Sequence, residues 1–134
     1  MVHLRRLAAT TAATLALLIS ACGDDSPDTS TPARAYETFF VEMNRGNRDT
    51  ALEVLAPAGA LGDTFRGGAY YTYADSVEES LNRHGGLEEV IIDNEGEINE
   101  EAVRVEGSLR FQDGTEMKRA ITFERENGSW VGQL

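Results

Sequence analysis

Cysteine is almost absent: Cys22 stands alone in 134 residues, so no disulfide can form within the chain. Basic residues are also scarce, 12 against 23 acidic ones for a formal charge of −11. Eleven of the twelve are arginine, which fits a GC-rich genome as readily as any function. Setting aside residues 1–21, which hold two arginines and no acid, leaves 10 basic against 23 acidic residues, a charge of −13. Nucleic acids and anionic bilayers both require a basic footprint, and this composition excludes them as direct partners. The acidity suits a salty habitat, solubility or a basic protein partner. Histidine occurs twice, at His3 and His84, and with one cysteine it supplies no metal-ligand cluster or cofactor site. The chain has no GxxxxGK, GxGxxG or GxSxG motif, and Phe65-Arg66-Gly67-Gly68 reads as a flexible turn rather than a phosphate cradle. Long apolar runs are missing too. The longest, Leu7 to Ala21, has 15 residues, where a bilayer core needs about 20 in a helix. The length allows one modest domain.

What is present at the start is an export pattern. Met1 to Arg6 is positively charged, Leu7 to Ala21 is apolar and uncharged, and Gly23-Asp24-Asp25 ends the run. Ordinary signal cleavage wants small residues at the last and third-last positions, and Ile19 does not fit. The run Ile19-Ser20-Ala21-Cys22 instead resembles the lipobox of bacterial lipoproteins. That resemblance implies cleavage before Cys22, a diacylglyceryl thioether on its sulfur and a further acyl chain such as palmitate on its amine. Two or more chains anchor stably, where one is marginal. Residues 1–21 are thus expected as a lipoprotein signal and 22–31 as the lipidated cysteine and a flexible tether. At roughly 5–6 Å × √n, the nine residues Gly23 to Thr31 would hold the domain about 15–18 Å from the bilayer. Gly23, rather than Asp, directly after the cysteine favours the periplasmic face of an outer membrane by the sorting rule of enteric bacteria; an inner membrane or a Gram-positive surface stays open.

Residues 32–134 read as one α+β domain, about three helices followed by a curved antiparallel sheet of about four strands. Thr31-Pro32 is a cap and first helical position, and Tyr36, Phe39, Phe40 and Met43 recur at i, i+3, i+4, i+7 before Gly46. Asn47 to Leu55 predicts a short helix stopped by Pro57, and Ala58 to Gly68 a loop. Asp75-Ser76-Val77-Glu78 reads as a capping box opening a third helix through Val77, Leu81 and His84 to Gly85-Gly86. His84, in that helix's last turn, is explained by the helix's negative end. Alternation then predicts strands over Leu87–Asn94, Ala102–Gln112, Thr115–Glu124 and Ser129–Leu134, with turns at Asp113-Gly114 and Asn127-Gly128. Gly107 at an inward position predicts a bend or bulge. Arg119 interrupts the apolar face of the third strand. A bulge turning it to solvent, a partner such as Glu89, or an anionic ligand would each relieve the cost of its burial.

TPARAYETFFVEMNRGNRDTALEVLAP, the helix ending NRHGG and the closing FQDGTEMKRAITFERENGSWVGQL together resemble small bacterial lipoproteins bearing a nuclear-transport-factor-2-like (cystatin-like) domain of unknown function, related in fold to ketosteroid isomerase and SnoaL-type cyclases. The resemblance covers about residues 31–134. It implies a cone closed by sheet and helices, with Tyr36, Phe40, Tyr71, Tyr73, His84 and Arg119 as candidate lining. Enzymes of this fold place an acid, a base or a His–Asp pair in the cone; no such pair and no inward aspartate is evident in the sequence. The expected function is therefore that of a membrane-anchored, non-enzymatic accessory module binding a small ligand or an envelope protein. The alternatives are an isomerase- or cyclase-type enzyme using Tyr70, Tyr71, Tyr73 or His84 as proton donor, and an interaction module acting through its acidic face.

Overall fold

A computed structural model describes residues 27–55 and 64–134. Among these, α1 (Pro32–Asn44), α2 (Arg48–Leu55) and α3 (Thr64–Arg83) precede β1 (Leu87–Asn99), β2 (Ala102–Phe111), β3 (Glu116–Glu126) and β4 (Ser129–Gln133). The four strands form one antiparallel sheet in the order β1-β2-β3-β4, the meander that short turns impose. No helix among the described residues is long and apolar enough to cross a membrane.

Helix α1 starts where its cap chemistry places it. The Thr31 hydroxyl accepts the Arg34 amide at 3.1 Å, and Pro32 follows at the first position. Its apolar stripe, Tyr36, Phe39, Phe40 and Met43, is buried against the sheet. The inner sheet face answers with Val105, Leu109 and Phe111 of β2 and Ile121 and Phe123 of β3, all at alternating positions. Helix α2 packs on α1 and β4 through Leu52, Val54 and Leu55, and α3 packs on α1 and α2.

Helix α3 is longer than the sequence pattern predicts. Residues 64–68, expected in a loop, are helical, and Asp75 lies in the helix interior rather than at its cap. Tyr70, Ala74, Val77 and Leu81 form a buried stripe at i, i+4, i+7 and i+11, so packing extends the helix across glycines that local propensity would break. The remainder of the expected loop, 58–63, lies outside the described residues, as do the signal and lipobox positions of the sequence reading.

Strand β1 also outruns its expected end at Asn94 and reaches Asn99. It is bulged at three places, between Leu87 and Glu89, Ile92 and Asn94, and Glu97 and Asn99. Bulges and glutamates along an edge strand keep it from pairing with another chain. The bend foreseen at Gly107 falls on this partner strand instead: β2 and β3 keep an unbroken register through Gly107. Glycine stands there because the Tyr36 ring lies directly beneath it. A Cβ would sit 2.7 Å from the Tyr36 hydroxyl oxygen and 2.7 Å from the Ile91 carbonyl oxygen.

The tether expected over 22–31 is tied down at its domain end. Asp28 accepts the Ser30 amide at 3.2 Å and hydroxyl at 2.7 Å, and those bonds hold its carboxyl below the usual carboxylate range. The Asp28 carbonyl accepts the Thr38 hydroxyl, and Thr29 accepts the Trp130 amide at 3.0 Å on the edge of β4. The domain thus has two poles. One holds this N-terminal stitch, the β1–β2 turn and the Asn127-Gly128 turn; the other holds the C-terminal ends of α1 and α3 and the β2–β3 turn, about 20 Å along a 13-residue helix.

Candidate functional site

Arg119 remains on the inner face, in register with Gly107, and is half-buried. No bulge turns it to solvent, and Glu89 is not its partner: that carboxylate pairs with Arg110 at 2.8 Å. The Arg119 guanidinium folds back to donate to the Lys118 carbonyl at 3.0 Å, and no carboxylate among the described residues reaches it. Two tyrosines from different helices converge on the same strand. The Tyr36 hydroxyl donates to the Arg119 carbonyl at 2.9 Å, which fixes the ring under Gly107. Tyr73 of α3 packs on Phe39 with ring centroids 5.7 Å apart, and its hydroxyl is buried without a hydrogen-bond partner among the described residues.

Burial sets the acidity of both phenols. Desolvation pushes Tyr36 far above its ordinary value, with the Tyr73 and Asp93 fields adding and Arg119 opposing. Tyr73 is pushed up to about 12 by burial, again with Arg119 opposing. Both therefore stay protonated at neutral pH and serve as hydrogen-bond donors, not bases. The arrangement of one cation and the uncommitted Tyr73 hydroxyl can hold a polar group, and no buried carboxylate or imidazole stands beside them among the described residues.

The other candidate lining residues separate. Phe40 is fully buried and packs on Tyr36 at 4.9 Å, a core contact. Tyr71 is 42% exposed and lies beneath the Arg48 guanidinium at 5.9 Å, so it is surface and not lining. Tyr70 is buried in the stripe of α3.

His84 sits at the opposite pole and, contrary to the sequence reading, is paired. Its Nδ1 lies 2.8 Å from an Asp113 carboxylate oxygen, and its ring packs on Phe111 at 5.0 Å. The pair spans the α3–β1 and β2–β3 turns, where the Gln112 amide also donates to the Gly86 carbonyl at 2.9 Å. Asp113 falls to about 2, first through the Thr115 amide bond and then through the bond to His84. A neighbouring cleft of about 510 Å³ is lined by Met43, Asn44, Glu78, Leu81, Asn82 and the glycines of the two helix ends. His84 does not line it, and the pair clasps two turns together. An Asp-Gly turn signal identified Asp113 as a turn residue, but no local pattern announced a partner 29 positions away.

No protein-family profile and no curated protein matches the sequence. Solved structures do. A Campylobacter jejuni protein named as an NTF2-like transpeptidase superposes with a TM-score of 0.65 at 14% identity, covering 78% of this chain and 98% of its own. A SEC-C motif-containing protein from Rhodopseudomonas palustris superposes with a TM-score of 0.56 at 14% identity, covering 79% and 77%. At such identities the likeness speaks for architecture alone. Three helices on a four-stranded antiparallel sheet, with the aromatic stripe of the first helix under the strands, make this an NTF2-like α+β fold.

Proposed function

We propose that the chain is a lipid-anchored envelope lipoprotein whose NTF2-like domain is a non-enzymatic accessory module binding a small ligand or an envelope protein. The observation that carries the reading is Ile19-Ser20-Ala21-Cys22 placed after a charged start and an apolar run, with the chain's sole cysteine at the cut. The stitched N-terminal segment fits it. With residues 28–31 held against the domain, the tether expected from the sequence is shorter than nine residues. The pole carrying Thr29 would face the bilayer, and the His84 pole would face away. Gly23 after Cys22 favours the outer membrane's periplasmic face.

The non-enzymatic part rests on the chemistry of the side chains. The phenols beside Arg119 are held protonated by burial, and the His84–Asp113 pair lies at the opposite pole, outside the lining of the neighbouring cleft. A group transfer such as the Campylobacter protein's name states needs an accessible nucleophile. Ser108 is 2% exposed and donates to Asp93 at 2.7 Å, which leaves it poorly placed for attack. An isomerase- or cyclase-type proton transfer remains the second reading because Tyr73 presents an uncommitted hydroxyl near Arg119. Capture of a basic partner by the acidic surface is the third.

Mass spectrometry of the protein purified from its own membranes tests the anchor, with Cys22→Ser alongside. A chain beginning at Cys22 with added acyl mass, lost together with membrane association in Cys22→Ser, is expected. An unmodified chain that still includes residues 1–21 would overturn the reading.

A further inference from the structure

Nearly every basic side chain among the described residues has an electrostatic partner. Arg34 pairs with Asp28, Arg45 with Glu42, Arg48 with Asp75 and Glu78, Arg83 with Glu79, Arg110 with Glu89 and Glu116, and Lys118 with Asp93. Arg125 lies over the Trp130 ring at 5.0 Å. Leaving aside Arg66, whose side chain is not among those described, two arginines have neither a carboxylate nor an aromatic partner among the described residues, Arg104 and Arg119, in a chain with 23 acidic residues. Both line one depression of about 230 Å³ in the sheet, together with Glu106, Gly107, Lys118 and Ala120.

The register explains why the depression exists. On the outer face Arg104 lies opposite Thr122, Glu106 opposite Ala120, and Ser108 opposite Lys118, whereas Arg119 starts from the inner face and borders the depression with its guanidinium folded back onto the Lys118 carbonyl. The small Ala120 leaves room between the long side chains. Strand β4 pairs with β3 no further than Thr122, so the depression opens at a sheet edge that no described strand covers. Three cations and one carboxylate line it, a local excess of positive charge in a chain whose formal charge is −11. The carboxylate, Glu106, accepts the Asn94 amide at 3.4 Å, and Lys118 shares its charge with Asp93 at 3.2 Å. Of the Arg119 guanidinium's N–H groups, one is committed to the Lys118 carbonyl.

We propose that this depression binds a small, free oxyanion, a carboxylate or phosphate group on a molecule of a few heavy atoms, held by Arg104, Lys118 and Arg119. Guanidinium groups match the planar, two-oxygen geometry of such groups, and low surroundings of competing acid at this one place make the contact charge-assisted. A strand of another protein is the poorer occupant. Lys118 stands on the edge and the Arg119 guanidinium covers its carbonyl, two features that block strand addition. The proposal rests on the binding-module reading above and names its ligand class.

The test uses full-length, isotopically labelled protein carrying Cys22→Ser, so that the result does not depend on the anchor. Inorganic phosphate and succinate are titrated at constant ionic strength, and the amide resonances of Gly107, Lys118, Arg119 and Ala120 are followed. Saturable shifts confined to these strands are expected. Arg104→Gln and Arg119→Gln should each weaken the apparent affinity about tenfold, while Arg119→Lys keeps part of it and Arg34→Gln changes nothing. Retained core resonances show that each variant is folded. Absence of saturable shifts with either anion overturns the proposal, as do equal shifts in the folded Arg104→Gln, Arg119→Gln double variant. A response to phosphatidylglycerol vesicles alone overturns it also, since the ligand would then be a lipid headgroup. The acyl mass of the wild-type protein reports separately on the anchor, so either idea can fail without the other.

Discussion

Gly107 is a residue at which helix and sheet approach closely, and it has no room for a side chain. A methyl group there would meet the Ile91 carbonyl, the Tyr36 hydroxyl and the edge of the Tyr36 ring, all under 3.0 Å. Gly107→Ala should therefore destabilise the domain by about 1–3 kcal/mol, the usual cost of overpacking, read from denaturant midpoints. The clash includes backbone, so trimming Tyr36 in the same chain should restore only part of the loss. Asp113 offers a test of opposite character because its contribution depends on pH. Its carboxyl lies at about 2 in the folded domain against 3.8 ordinarily, so the folded state favours the ionised form. That contribution is fully present above about pH 4 and disappears as pH falls through about 2. Asp113→Asn should thus be less stable than wild type at pH 6, with the gap closing on acidification. A gap constant from pH 6 to pH 2 would mean that the bonds to Thr115 and His84 do not carry the effect.

Helix α1 depends on its first turn, where Thr31 supplies the oxygen that the opening amides lack. Thr31→Ala should cost about 1 kcal/mol, seen as a lower denaturant midpoint with an unchanged slope. This helix was fully legible in the sequence because its cap, proline and aromatic spacing all point the same way. The two hairpins were legible for a similar reason: Asp113-Gly114 and Asn127-Gly128 place left-handed residues where tight turns require them, Asn127 at φ 51° and the two glycines at 88° and 83°. The start of α3 was not legible, since Gly67-Gly68 argues for a loop while the stripe from Tyr70 to Leu81 that extends the helix acts through distant partners. The far half of β1 was hidden as well. As an edge strand beyond the helices it carries polar side chains on both faces, and alternation vanishes when neither face is buried. Of the candidate site, Arg119 is visible as a break in an apolar alternation, whereas Arg104 sits where a polar residue is expected and carries no signal. The His84–Asp113 pair joins two turns that only the closed sheet brings together.

At the scale of the whole molecule, charge is the dominant feature. A chain at −11 repels itself when compact, and added salt screens that repulsion. Its melting temperature should rise as sodium chloride increases from about 10 mM to about 500 mM, a range that shortens the screening length from about 30 Å to a few ångströms. A fall over that range would mean that the surface ion pairs outweigh the net repulsion. The stitch between Thr29 and Trp130 bears on a different matter, the order in which the chain becomes native. It joins the first described residues to β4, so that contact cannot form until β4 has been delivered. A chain emerging from its N-terminus can assemble α1 and α2 early, with only the contacts of Asp28 to Thr38 and Arg34 holding its leading residues until the meander closes. If Cys22 is meanwhile fixed to a bilayer, that last contact is also what draws the finished domain up to the surface.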